Sequence, residues 1–118
     1  MRIHHVALRV ADCERAASFY SGVLGLPEIR RSTEAGRVRS VWLAAGDTVV
    51  MLELSLRGGV PLAGSGHVLV FEVVGLGDWE RCLAEAGIEI VDRTAHSLYA
   101  SDPDGHRVGL TVFGKTTA

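Results

Sequence analysis

The stretch "IHHVALRVADCERAASFYSGVLGL", residues 3 to 26, changes its hydrophobic period partway along, and that change decides how the chain is read. From Arg2 to Val10 the apolar residues alternate. Val6, Leu8 and Val10 fall on one side and Ile3, His5, Ala7 and Arg9 on the other, the period of a half-buried strand. Strict alternation points the neighbours His4 and His5 in opposite directions. Asp12 then stands where a helix cap belongs, and Ala16, Phe19, Tyr20, Val23 and Leu24 recur at helical spacing until Gly25 ends the pattern. The reading is a strand followed by an amphipathic helix.

After Pro27, the glycine-bearing turns "EAGR" and "AAGD" separate runs rich in branched residues, which predicts strands near 28–34, 37–45 and 48–55. "SLRGGVPLAGSG" follows, and its glycines and proline predict an irregular connection over 57–66. "HVLVFEVVG" then starts a new strand with His67 at its entrance. In "LGDWERCLAEAG", Leu76, Trp79, Leu83 and Ala86 line one helical face before Gly87 closes it. "IEIVDR", "HSLYASD" and "HRVGLTVF" supply three more short strands. The order strand, helix, strand, strand, strand thus occurs twice, an internal repeat of roughly 60 residues. The expected fold is α+β: one domain over 1–118, with paired βαβββ modules at 1–56 and 67–118 forming a curved eight-stranded sheet around a cavity.

Bulk properties narrow the function classes. The length of 118 residues suits one domain. Twelve basic and fourteen acidic residues leave a net charge of -2 with no concentrated run of either sign, so no nucleic-acid partner is expected. Cys13 and Cys82 form neither a disulfide framework nor a paired metal motif, which fits a reducing cytoplasm. The amino-terminal residues lack the apolar run of a signal peptide or membrane span, so a soluble protein with no membrane partner is expected. "GSG" beside His67 lacks Walker spacing and its lysine, "DPDG" lacks the other oxygen ligands of a calcium loop, and Ser101 has no nucleophile-elbow context.

Alternation assigns faces to the later strands. With Val50, Leu52 and Leu54, and Val108, Leu110 and Val112, turned toward a helix, Met51, Glu53 and Ser55, and Arg107, Gly109, Thr111 and Phe113, face the cavity. Two imidazoles and a carboxylate, His5, Glu53 and His67, are a competent ligand set for zinc, nickel, cobalt, manganese or iron(II). Each also has an ordinary role open to it: a strand histidine, a carboxylate on a solvated face, a histidine leaving a loop. Arg9, Trp42, Met51, Tyr99, Arg107 and Phe113 are candidate pocket residues, combining apolar area with orienting polar groups, with packing and solvent roles as the alternatives.

The opening stretch, the repeated element order, "GHVLVFEV" and "DPDGHRVGL" together resemble the vicinal oxygen chelate superfamily over nearly the whole chain. That superfamily includes glyoxalase I, extradiol dioxygenases, fosfomycin resistance enzymes and bleomycin resistance proteins. The resemblance implies metal ligands at His5, Glu53 and His67; Glu53, once displaced from the metal by a chelating substrate, is also the candidate catalytic base. The final ligand, commonly a glutamate, falls on Gly109, which has no side chain to offer.

Two interpretations follow. The glycine leaves room for a substrate atom or water at a three-ligand metal site, in a divalent-metal-dependent lyase, isomerase or dioxygenase-like protein acting on a small oxygen-bearing substrate. Alternatively metal binding is lost, and the cavity holds a small organic ligand as metal-free, drug-sequestering members do. A structural or regulatory dimer is a third possibility. The resemblance also implies a homodimer. Alternation sets His106 opposite Gly109, which disfavours it as a direct replacement.

Overall fold

The structure, a computed structural model, describes residues 1–55 and 66–114. Apart from Gly66, the connection expected over 57–66 lies outside the described residues. The chain divides into two compact units, Met1–Pro61 and Leu62–Ala118, and each follows the order strand, helix, three strands.

In the first unit, β1 (His5–Val10) leads through α1 (Cys13–Ala17) and a π-helical segment (Ser18–Val23) to β2 (Glu28–Glu34), β3 (Arg37–Ala45) and β4 (Thr48–Leu54). The sheet order is β1-β4-β3-β2, with β1 parallel to β4 and the other pairs antiparallel. Ala35 and Gly36 join β2 to β3 with φ of 53° and 76°, both positive as a two-residue type I′ hairpin turn requires.

Asp12 caps α1 as its sequence position predicts: its carboxylate accepts hydrogen bonds from the backbone N–H of Glu14 and Arg15 at 2.9 and 3.1 Å. The expected single helix through Leu24 instead widens into π geometry at Ser18, and Gly25, at φ 80°, lets the Leu26 N–H return to the Tyr20 carbonyl at 3.0 Å. The wider turn still buries Phe19, Tyr20 and Leu24 but leaves Val23 only half-buried.

Helix α1 packs on β3 and β4. Leu8, Val10, Val41, Leu43, Val50, Leu52 and Leu54 meet Cys13, Ala16, Phe19 and Tyr20 in a closed apolar core. Burying each large apolar side chain there is worth about 1.5–3 kcal/mol. Because the pleat alternates, covering this face dedicates the opposite face of the same strands to other work.

The second unit contains β5 (Val68–Glu72), α2 (Leu76–Glu85), β6 (Asp92–Arg93), β7 (Ser97–Ser101) and β8 (Arg107–Thr111), in the sheet order β5-β8-β7-β6. Its core is smaller, built on Leu83, Leu98, Ala100, Val108 and Leu110. Of the expected strand "IEIVDR" only Asp92 and Arg93 enter the ladder. Ala86, expected on the inner face of α2, is exposed beyond the helix end. Val112 departs from expectation too: β8 ends at Thr111, so the pleat no longer turns it inward, and it is 38% exposed. Among the described residues no helix is long and apolar enough to cross a membrane.

Candidate functional site

The uncovered face of the first sheet can be read from its register. Arg9 stands opposite Glu53, which stands opposite Ser40, which pairs with Ser32. One row away, Ala7, Met51, Trp42 and Arg30 are likewise aligned. Paired residues share a face, so these side chains lie together on the side away from α1. A groove of about 280 Å³ is formed there by Arg30, Ser32, Arg39, Ser40, Trp42, Met51, Glu53 and Leu54.

Trp42 is the groove's aromatic surface. The Arg30 guanidinium carbon lies 6.0 Å from its ring centre, and the His5 ring is 5.3 Å away, tilted by 46°. The Ser32 and Ser40 hydroxyls share a hydrogen bond of 2.6 Å, and Arg39 is 3.4 Å from Glu34. Neither the Arg30 nor the Glu53 side chain has a hydrogen-bond or ion-pair partner among the described residues.

His5 and His4 do not diverge as strict alternation requires. Pairing of β1 starts only at His5, so His4 lies outside the pleat and its Nδ1 sits 2.8 Å from Nδ1 of His5, the rings edge to face. His5 itself is opposite Val49, four residues out of step with Glu53 in the same parallel ladder.

In the second unit, His67 directly precedes β5 and is exposed, with its Nε2 3.0 Å from Nδ1 of His106. His106 is only 4% exposed, and its backbone N–H donates to the buried Asp102 carboxylate at 2.9 Å. That carboxylate also accepts from the Asp104 N–H at 2.9 Å, so Asp102 braces the "DPDG" turn as an Asx residue does.

Gly109 lies in β8 between Val70 of β5 and Tyr99 of β7. A β-carbon at this position would stand 2.8 Å from Cε1 and 3.0 Å from Cδ1 of Tyr99, and 3.1 Å from Cγ2 of Val70. The room that a side chain at 109 would use is therefore taken by the tyrosine ring. Arg107 is exposed, in register with Val68 and Ser101. Phe113 lies past the end of β8, 57% exposed, its ring 5.9 Å from His96.

Of the candidate residues, His5, Arg9, Trp42, Met51 and Glu53 thus share one sheet face, and Tyr99 and Gly109 are in contact in the other unit. Arg30, Ser32, Arg39 and Ser40 belong to the groove although the sequence reading did not single them out. The hairpin turn "EAGR" was their available signal, because it sets the β2–β3 register and so fixes which residues face Trp42.

Among the described residues no group of three or more His, Cys, Asp or Glu side chains is gathered so as to hold a metal ion. The donor chemistry explains part of this: the expected fourth ligand position carries a glycine covered by Tyr99, and Nε2 of His67 is engaged with His106. The residues present do not fit the four-ligand centre implied by the resemblance.

Comparison with known proteins completes the picture. Residues 2–110 match the model of the Glyoxalase/Bleomycin resistance protein/Dioxygenase superfamily. A "Probable lactoylglutathione lyase" from Vibrio cholerae is 28% identical over 122 aligned positions, spanning 92% of this chain and 88% of that protein. The fosfomycin resistance protein FosX from Mesorhizobium loti superposes with a TM-score of 0.79 at 22% identity, covering 98% and 94% of the two chains. TnmS3, an antibiotic binding protein from Streptomyces sp. CB03234, superposes with a TM-score of 0.73 at 22% identity, covering 94% of each. At these identities the two structures establish likeness of fold.

Proposed function

Since this chain belongs to the Glyoxalase/Bleomycin resistance protein/Dioxygenase superfamily, we propose that it binds a small organic molecule through the groove of its first sheet, without a resident metal. The observation that carries this reading is the Tyr99 ring over Gly109, which occupies the space the last carboxylate ligand would need. Divalent metals are common in the superfamily, but a chain lacking that ligand and holding His67 against His106 is better suited to recognition by shape and polar contact. The likeness to an antibiotic binding protein supports the same reading. It includes a single glyoxalase-like domain of two modules, working as a cytoplasmic homodimer.

A second reading has its own support. The name of the Vibrio cholerae relative and the unpaired carboxylate of Glu53 in the groove favour a divalent-metal-dependent lyase, isomerase or dioxygenase-like enzyme using His5, Glu53 and His67. Metal analysis separates the two. Protein purified without added metal, then offered zinc, nickel, cobalt, manganese and iron(II), is expected to bind them weakly, with His5→Ala and His67→Ala making little difference. Ligand binding is expected to survive chelators and to proceed without turnover. Near-stoichiometric metal lost in both variants overturns the proposal in favour of the enzyme.

A further inference from the structure

Among the charged side chains that line the groove of the first sheet, the Arg30 cation and the Glu53 anion have no hydrogen-bond or ion-pair partner among the described residues, and they stand on the strands to either side of the one that carries Trp42. A charge without a partner costs free energy when a ligand covers it, unless the ligand supplies the missing partner. The ligand that satisfies this groove must therefore bring an anion, a hydrogen-bond donor and a flat apolar body.

Geometry orders those three parts. Arg30 and Trp42 are register partners on β2 and β3, while Glu53 is on β4, one pleat repeat further along the face. The guanidinium lies at the outer limit of cation–π range from the indole, a hold worth roughly 0.5–1 kcal/mol at an exposed site. A carboxylate accepting both prongs of the guanidinium makes the stronger, charge-assisted contact and recruits Arg30 without disturbing the sheet. Glu53, an acceptor when ionised, calls for a hydroxyl or amine at the far end. The volume of about 280 Å³ falls just under the ordinary range for ligand pockets, which suits a body of one ring.

Resting on the small-molecule reading above, we infer that the groove selects a single-ring aromatic acid bearing a hydroxyl or amino group opposite its carboxylate: ring on Trp42, carboxylate on Arg30, donor on Glu53. Arg39 is a poorer anion site than Arg30, because Glu34 already faces it at 3.4 Å. The hydroxyls of Ser32 and Ser40 already bond to each other, and they border the ligand rather than anchor it.

Calorimetric titration of the full chain with 4-hydroxybenzoate, benzoate, phenol and cyclohexanecarboxylate tests the assignment. The expected order puts 4-hydroxybenzoate first, with benzoate weaker by about tenfold, the scale of one hydrogen bond to a charged group. Arg30→Met should weaken both acids by about tenfold or more and leave phenol unchanged. Glu53→Met, which keeps the length of the side chain but removes the acceptor, should abolish the preference for 4-hydroxybenzoate over benzoate. Trp42→Leu should remove binding while Trp42→Phe keeps most of it, which guards against a loss caused only by misfolding.

Equal binding of cyclohexanecarboxylate, or indifference to Arg30→Met, overturns the aromatic-acid assignment. Native mass spectrometry against a chemically diverse library separates a failure of the aromatic-acid assignment from a failure of small-molecule binding. Neutral ligands captured in preference to acids sink the assignment and keep the small-molecule reading. No ligand captured at all sinks both.

Discussion

The ring of Tyr99 lies across Gly109, its Cε1 only 2.8 Å from where a β-carbon on residue 109 would stand. The contact joins neighbouring strands β7 and β8, so the glycine and the tyrosine fit as a pair: one gives up its side chain and the other fills the space. Gly109→Ala should therefore cost about 1–3 kcal/mol as an overpacking change. Combining Gly109→Ala with Tyr99→Ala should cost less than the sum of the two single changes, because the second relieves the clash of the first. Urea unfolding of the four proteins measures the coupling, and strict additivity would show that the ring does not hold that space.

Asp102 is 5% exposed, and its carboxylate receives two backbone N–H groups, from Asp104 and His106. Removing it strands both donors, so Asp102→Ala should destabilise the chain by about 1–3 kcal/mol per unsatisfied group at most. Asp102→Asn keeps an acceptor oxygen and should lose clearly less. Thermal unfolding of the two variants side by side decides this, with equal losses arguing against the hydrogen bonds.

Asp12 performs the corresponding task at the start of α1, where it accepts from the N–H groups of Glu14 and Arg15. Asp12→Ala should cost about 0.5–2 kcal/mol and Asp12→Ser much less, as for helix caps in general. Denaturant midpoints at constant slope are the readout.

Glu28 has its carboxyl held below its usual value of 4.5, first by hydrogen bonding to Arg31, whose guanidinium also reaches Glu14 at 3.0 Å. A lowered folded-state value means that the pair adds stability above the unfolded value, and that this is lost as pH falls through the folded one. Both side chains are 35% exposed, so the contribution is small, about 0.2–1 kcal/mol. Glu28→Gln should lower stability by that amount at neutral pH and by nothing in acid well below 4.5. A stability difference that stays constant across that range would contradict the pairing.

The buried half of each sheet was readable from alternation, and the reasons are local. Leu8 and Val10, or Val50, Leu52 and Leu54, have the same spacing in sequence as they have inside the core, because a strand turns every second side chain the same way. The limits β2 Glu28–Glu34 and β3 Arg37–Ala45 coincide with the expected strands, since the turn residues that bound them carry their own conformational signal. Where the sequence reading missed, the cause was an element ending early or changing form: β1 beginning after His4, the π turn at Ser18, β8 stopping before Val112. Periodicity runs through such points without marking them.

The sequence by itself determined the repeated βαβββ order, the apolar faces, the helix cap at Asp12 and the absence of a side chain at 109, because each depends on one residue or on spacing along the chain. Only the tertiary structure decided what fills the space at Gly109, that His67 meets His106, and that Arg30 lies beside Trp42 with Glu53 a short way along the same face. Those are contacts between strands, set by ladder register and by which side chain reaches furthest into a shared space. Neither is written in the spacing of any single segment.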